Sequence, residues 1–139
     1  MVDALRRVDA MLVPTGRLVD LHPTEAPAEV WVGGLMVDAV EVGDASQRHA
    51  AASAALSTVV RGGFFALEGQ MTFDFRTYGD TIEELRDYVH ENWRDARIRR
   101  ETVARARTAL RVAPPGTRAS VLERVQLTVL RLVDRDPRG

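Results

Sequence analysis

One stretch of the sequence, residues 65–77, constrains the fold more than any other. Apolar residues or glycine occupy alternate positions, namely Phe65, Leu67, Gly69, Met71, Phe73 and Phe75, and the positions between them are mostly polar. Successive side chains of a strand point to opposite faces of a sheet, and the alternation runs without a phase slip. It therefore predicts one long strand near 64–77, with a buried face and a polar face, that needs antiparallel partners.

The remaining segments place helices around such a sheet. Further strands are predicted near 17–21, 30–32, 35–42 and 119–132, and helices near 3–13, 44–61, 80–93 and 100–111. The Gly33–Gly34 pair predicts a hairpin, because two-residue hairpin turns favour positive φ. Asp44 with Gln47 and Asp80 with Glu83 have capping-box spacing, and Gly62 follows the second helix where a left-handed cap is expected. The fold class is α/β or α+β, with a mostly antiparallel sheet.

The segment 118–133 fits two structures. Val121, Val125, Val129 and Leu132 have helical spacing. Val121, Val125, Leu127, Val129 and Val133 also share one strand parity, and their β-branched content favours a strand. These residues alone leave both structures open.

Composition limits the classes of function. The 139 residues correspond to a single domain, 1–139, and the mix of 45% apolar and 28% charged residues is typical of a soluble globular protein. A formal charge of -1 and the absence of cysteine give no reason to expect a nucleic-acid or membrane partner, a disulfide or a thiolate nucleophile. All nineteen basic residues are arginine. The N-terminal segment lacks the apolar core of a signal peptide, so a cytoplasmic location is expected.

Two stretches resemble the C-terminal half of class I S-adenosylmethionine-dependent methyltransferases. Residues 5–19, LRRVDAMLVPTGRLV, resemble the helix, glycine turn and strand late in that fold, with Thr15 where the family commonly has a second glycine; residues 72–98 resemble the late strand and following helix of some members. The family's sheet ends in two antiparallel strands, which implies that Phe65–Thr77 pairs with Ser120–Leu132. This pairing is the reason that we favour a strand for residues 118–133. The family binds its cofactor through a glycine-rich turn in the N-terminal half, and no G-x-G occurs here. The resemblance therefore implies a truncated Rossmann-like fold without a cofactor site.

His22 and Asp20 are the candidate catalytic residues. His22 is expected at the carboxyl end of a strand, where open α/β sheets place ligands, and an imidazole moves protons near neutral pH. Asp20 shares its strand parity. The alternative is that His22 only ends the strand before Pro23.

The polar face of the long strand supplies candidate substrate-binding residues, namely Glu68, Asp74, Arg76 and Tyr78. This face either lines a cavity or faces solvent, as one face of an antiparallel sheet commonly does. Glu68 and Asp74 lie about 20 Å apart along a strand that rises roughly 3.3 Å per residue, which is too far for a catalytic pair.

The other titratable and nucleophilic residues give weaker signals. His49 is expected at the edge of a helix stripe and His90 on the surface, and the three histidines lack metal-ligand spacing, so no metal or cofactor is predicted. The serines at 46, 53, 57 and 120 lie in no nucleophile-elbow motif. The arginines of residues 94–111 are better explained as an ion-paired helix surface than as an RNA-binding patch.

Two function classes follow. The first is a methyltransferase-like module without its own S-adenosylmethionine site, which acts through a homodimer or another protein partner. The second is a small cofactor-independent enzyme or ligand-binding protein, of the isomerase or cyclase type, that acts on an organic small molecule.

Overall fold

A computed structural model describes residues 1–133, apart from the side chains of residues 9, 45 and 46. Its elements in chain order are α1 (Val2–Asp9), β1 (Arg17–Pro23), β2 (Glu29–Val32), β3 (Leu35–Ala39), β4 (Glu41–Val42), α2 (Ala45–Arg61), β5 (Phe65–Gly79), α3 (Ile82–Asn92), β6 (Ala96–Arg97), α4 (Arg100–Val112) and β7 (Ala119–Leu132). The predicted mixed fold with a mostly antiparallel sheet is confirmed. The last six residues of the predicted domain 1–139 lie outside the described range.

Strand β7 is the centre of the main sheet. One edge of β7 pairs with β5 from Phe65 opposite Leu132 to Gly79 opposite Ala119. Its other edge pairs first with β2 and then with β1, and β3 extends the sheet beyond β2. The short strands β4 and β6 form a separate ladder. The strand prediction for 119–132 and its pairing with residues 65–77 are therefore confirmed.

Helices cover opposite faces of β7 at its two ends. Near its start, α3 and α4 pack on a first core cluster that includes Val30, Ile82, Leu85, Val89, Val103 and Val121. Near its end, α1 and α2 pack on a second cluster that includes Leu5, Leu56, Val59, Phe65 and Leu130. Residues 121 and 130 have opposite strand parity, so the two clusters lie on different faces of one strand.

The long strand β5 contains a register shift that the alternation does not show. Leu67 lies opposite Leu130, but Gly69 lies opposite Val129, so an extra residue is accommodated between them. Phe65 and Leu67 consequently lie on the face that α2 covers, whereas Met71 and Phe75 lie on the opposite face. The predicted single buried face is therefore wrong, because a bulge moves side chains from one face of a sheet to the other.

The face of β1, β7 and β5 opposite α2 is apolar and open. Val19, Leu21, Met71 and Phe75 are each between 52% and 56% exposed. They belong to one surface, because Val19 lies opposite Val129, and Leu21 and Met71 both lie opposite Leu127. We call this surface, Val19, Leu21, Met71 and Phe75, the open apolar face.

Two element boundaries differ from the prediction. Helix α1 ends at Asp9 rather than near residue 13, because Ala10 and Met11 bind carbonyls three residues back and tighten the chain into a turn. The predicted strand 35–42 is divided into β3 and β4. Its Val40 N–H leaves the ladder to donate to the carbonyl oxygen of Ala28, at 2.8 Å.

Two cap residues lie one position after the predicted ones, and a third predicted cap makes no side-chain bond. Thr81, not Asp80, is the N-cap of α3, and its hydroxyl accepts from the N–H of Glu84 at 3.1 Å. Asp44 precedes α2 without a side-chain capping bond. Gly63, not Gly62, is the residue with positive φ after α2, at 72°.

Candidate functional site

The sheet contains a notch where β7 changes partners. β1 separates from β7 after Pro23, which lies opposite Val125, and β2 joins only at Glu29, opposite Leu122. The two β7 residues between these points have no strand partner on that edge. The connecting loop, residues 24–28, crosses the gap and donates one backbone hydrogen bond, from Thr24 to the carbonyl of residue 124, at 2.8 Å.

A cavity of about 350 Å³ occupies this notch. Its apolar wall is formed by Ala28, Val42, Trp93 and Ala96. Its charged and titratable lining consists of Glu25, Arg48, His49, Arg94, Glu123 and Arg124. A volume in the range of small-molecule pockets, with an apolar wall and a few convergent polar groups, is typical of a ligand site.

Two titratable groups of this cavity have shifted pKa values. Burial raises the pKa of Glu123 above its ordinary value, because the protein replaces the water that stabilises its charged form. Burial is also the main cause that lowers the pKa of His49, assisted by the positive field of His22 and Arg48 and opposed by a hydrogen bond with Thr24. Both shifts favour the uncharged forms, in which a carboxyl gives a proton and an imidazole takes one.

The hydrogen bond of His49 fixes its tautomer. Nδ1 lies 3.1 Å from the carbonyl oxygen of Thr24. A carbonyl oxygen only accepts, so the neutral imidazole carries its proton on Nδ1 and its lone pair on Nε2. The basic nitrogen is therefore Nε2, whereas Nδ1 donates to the loop.

The arginines of the cavity have long ion pairs. Arg48 lies 3.5 Å from Asp95, and Arg124 lies 3.3 Å from Asp74. Arg94 is mostly exposed and lies 3.8 Å from Asp95. Partly exposed pairs at these distances are weak. Arg48 also donates one N–H to the backbone carbonyl of Arg94 at 3.2 Å, and the remaining N–H groups of the guanidiniums are available to an anionic ligand.

A second polar cluster lies between β1 and α2. Asp20 and His22 point to the α2 side of the sheet, and their side chains are in contact, with His22 Nδ1 2.5 Å from Asp20 Oδ2. The other ring nitrogen, Nε2, lies 3.0 Å from the hydroxyl of Ser53 on α2. His22 is only 9% exposed. The three side chains form a carboxylate–imidazole–hydroxyl chain.

Ser53 opens onto a groove between α2 and the sheet. The groove has a volume of about 630 Å³, and its lining includes Leu56, Leu67, Gln70, Gln126, Thr128 and Leu130. The amides of Gln70 and Gln126 each lie 3.4 Å from the hydroxyl of Thr128. The lining of the groove thus combines apolar side chains, two amide donors and the hydroxyl of Ser53.

The structure brings the predicted pair Asp20 and His22 into contact, but it distributes the predicted substrate-binding residues along β5. Glu68 binds Arg17 through two oxygens, and this ion pair lowers the pKa of Glu68. Asp74 reaches the cavity lining only through its ion pair with Arg124. These residues do not surround His22, because β5 is separated from β1 by the width of β7.

The other two predicted binding residues lie at the far end of β5. The guanidinium of Arg76 lies over the ring of Trp31 and donates to the hydroxyl of Ser120 at 3.0 Å. Tyr78 carries the guanidinium of Arg118 on its ring. Both line a shallow depression that is remote from His22 and from the notch.

Three residues of the two sites are not identified by the sequence. Ser53 and His49 lie four residues apart on α2, a spacing that places them on one helix face, and this is the one signal that connects them. Glu123 is one of several polar positions in β7 and has no distinguishing signal in the sequence. Its role depends on the notch, which the sequence does not reveal.

The described residues contain neither a metal cluster nor a membrane-spanning helix. Among the side chains described within residues 1–133, no group of three or more His, Asp or Glu is arranged to hold a metal ion. No helix in the same range is long and apolar enough to cross a membrane. A comparison of the chain with models of known protein families, with curated proteins and with solved structures returned no match.

Proposed function

We propose that the protein binds a small organic anion in the notch cavity and transfers a proton on it without a cofactor. The observation that carries this proposal is that His49 and Glu123, whose pKa values are shifted toward the neutral forms, line the same cavity. A carboxyl with a raised pKa and an imidazole with a lowered pKa can act as an acid and a base on one ligand.

The lining assigns a role to each group. His49 Nε2 takes a proton from a carbon atom next to a carbonyl, and the carboxyl of Glu123 gives a proton to the developing enolate oxygen or to a neighbouring carbon. Arg48 and Arg124 bind the carboxylate or other anionic group of the ligand. Trp93 offers a flat apolar surface, which suits a planar or aromatic ligand.

Binding is tested first, with benzoate and phenylacetate as probes. The chain contains two tryptophans, so a Trp31→Phe background leaves Trp93 as the sole tryptophan, which is excited selectively over the two tyrosines. We expect saturable quenching that weakens severalfold in Arg48→Ala and not in Arg111→Ala, which removes an exposed arginine outside the cavity lining. Affinity should rise as the pH falls from 8 to 5.5, because protonation of Glu123 or His49 removes a negative or adds a positive charge. Identical titrations of both arginine variants and the unsubstituted background would contradict the binding role.

Proton transfer is tested by exchange in D2O. Acetoacetate and pyruvate are the probes, and NMR measures the loss of the hydrogens next to the carbonyl. We expect accelerated exchange that falls by about 10²-fold or more in His49→Gln and Glu123→Gln, in line with the usual contribution of a general acid or base. His90→Gln removes an exposed histidine and should retain the rate. Binding without exchange would leave a ligand-binding protein and refute the catalytic step.

We propose a second function, in which the chain is a methyltransferase-like module that associates with a second copy of itself through the open apolar face. The exposure of Val19, Leu21, Met71 and Phe75 on one surface supports it, because large exposed apolar patches are typical of interaction sites. In this proposal the chain has no S-adenosylmethionine site of its own, so calorimetry with that cofactor should show no binding heat. Micromolar affinity would refute this part.

Sedimentation equilibrium tests the association. We expect a mass twice that of the chain at concentrations of tens of micromolar, and a monomer for Met71→Glu. Val112→Glu changes an even more exposed apolar residue at the end of α4, outside the open apolar face, and should remain dimeric. A monomeric unsubstituted protein, or an undisturbed Met71→Glu dimer, would contradict the proposal.

A further inference from the structure

The hydroxyl of Ser53 has a partner that is unusual for a helix serine. Hydroxyls inside helices commonly bind the carbonyl four residues back, as Thr58 does with Ala54 at 2.8 Å and Thr108 does with Ala104 at 3.1 Å. Ser53 instead contacts His22 on another element, 31 positions away in sequence. The contact therefore depends on the tertiary fold and not on the helix.

The donors and acceptors of the cluster run in one direction. The carboxylate of Asp20 accepts from Nδ1 of His22, which places the imidazole lone pair on Nε2. That lone pair faces the hydroxyl of Ser53, so the hydroxyl donates to it. An imidazole that is held by a carboxylate and accepts from a hydroxyl is the arrangement that makes a serine nucleophilic.

From this geometry we propose that Ser53 is the nucleophile of a second site, which cleaves small carboxylic esters in the groove. Ser53 Oγ forms a bond to the carbonyl carbon, its proton moves to His22 Nε2, and the carbonyl π electrons move to oxygen. The bond to the alcohol oxygen then breaks, and the alcohol takes the proton from His22. Water repeats the sequence on the acyl-serine, releases the acid and restores the hydroxyl.

The groove provides the other requirements of this reaction. Leu56, Leu67 and Leu130 form an apolar wall beside Ser53, which fits a short acyl chain. The amides of Gln70 and Gln126 are only loosely engaged, at 3.4 Å from the hydroxyl of Thr128, so their N–H groups can donate to the oxygen that becomes negative. Asp20 touches neither the substrate nor Ser53 and is a positioning residue.

A fluorophosphonate ester tests the proposal on the full chain. Attack of Ser53 Oγ on phosphorus displaces fluoride and leaves a stable adduct, which peptide mass spectrometry locates. Ser57 is the internal control, because it lies one turn along α2, lines the same groove and is exposed, and no contact between it and a histidine is observed among the described residues. We expect Ser53 to be modified at least 100-fold faster than Ser57. Equal rates, or no adduct at Ser53, would overturn the proposal without requiring any variant.

Variants then identify the base and its positioning residue. His22→Gln should reduce the rate at Ser53 by about 10²-fold or more, whereas His90→Gln should not change it. In the unsubstituted protein the rate should rise with pH, and Asp20→Asn should lower the rate and move the midpoint of this profile to lower pH, because the imidazolium has lost its carboxylate partner. Circular dichroism confirms folding of each variant. An unchanged rate in folded His22→Gln would refute the role of His22.

The groove site uses neither His49 nor Glu123. A negative result for Ser53 would therefore leave the proposal for the notch cavity untouched, and a negative result for the notch would leave this one untouched.

Discussion

The two ends of β7 carry different kinds of core, and the difference explains where chemistry is possible. In the first cluster, Leu85 and Val89 fill the space under α3, and the buried hydroxyl of Thr102 donates to Asp38 at 2.7 Å. In the second cluster, α2 buries Ala55, Leu56 and Val59, and the preceding residues of the helix, 50–54, are only alanine and serine. These small side chains leave a groove and admit His22 and Ser53 into the interface.

Polar groups are used differently in the two regions. Asp38 accepts hydrogen bonds from the backbone of residue 39 and from Thr102, and the guanidinium groups of Arg99 and Arg105 complete its shell. Because all these groups donate to the carboxylate and both arginines keep their positive charge, Asp38 is a structural anion. Asp20 instead binds the imidazole of His22, a group with one ring nitrogen that donates and one that accepts. The region with the smaller core side chains is therefore the one with groups that can react.

The largest expected effect compares one substitution in both cores. Leu85→Ala should reduce the free energy of unfolding by about 3–4 kcal/mol, because it leaves a cavity in a closed core. Leu56→Ala should cost less, about 2–3 kcal/mol, because Leu56 already lines the groove and its loss enlarges a space open to water. Urea denaturation at 25 °C measures both. An equal or greater loss at Leu56 would show that the second core is packed as closely as the first.

The second prediction tests the structural anion. Asp38→Ala should reduce the free energy of unfolding by about 1–3 kcal/mol, because the fully buried Thr102 hydroxyl loses its acceptor. Adding Thr102→Val should restore part of this loss by removing the unsatisfied hydroxyl. Asp80→Asn changes a mostly exposed carboxylate and should be nearly neutral. A double variant no more stable than Asp38→Ala would contradict the explanation.

The pH dependence of Asp38 has a defined sign. Its pKa lies below the ordinary 3.8, chiefly because Thr102 donates to the carboxylate and also because of the hydrogen bond and charge of Arg99, while desolvation opposes the shift. The unfolded chain therefore takes up the proton first as the pH falls. The stabilising contribution is complete above the ordinary value and is lost as the pH falls through the folded-state pKa. The difference between the unsubstituted protein and Asp38→Ala should consequently shrink below about pH 4.

Local patterns in the sequence predict the strands better than they predict the sites. The alternation in residues 65–77 is sufficient to locate β5, and the parity of Asp20 and His22 is sufficient to place them on one face. The bulge near Glu68 leaves the alternation intact while moving Met71 to the other face, so it cannot be read from periodicity. Ser53 and Glu123 become functional candidates only through contacts between distant segments.

The smallest expected effect is the pH dependence of stability that His49 causes. This residue lines the notch cavity and belongs to neither core cluster. Burial lowers its folded-state pKa below the ordinary 6.5, so between these values the unfolded chain binds a proton that the folded protein does not. As the pH falls from 7.5 to 5.5, the free energy of unfolding of the unsubstituted protein should therefore decrease relative to that of His49→Gln. The decrease should be smaller than the loss expected for Asp38→Ala. His49→Gln has no such proton to bind, and since His22 and His90 are common to both proteins, the difference between the two urea curves isolates His49. Parallel curves over this range would mean that the imidazole is as accessible to water when folded as when unfolded. In that case burial would not be the reason that His49 is a neutral base, and His49 would not be a buried titratable group that distinguishes the notch from the closed first core.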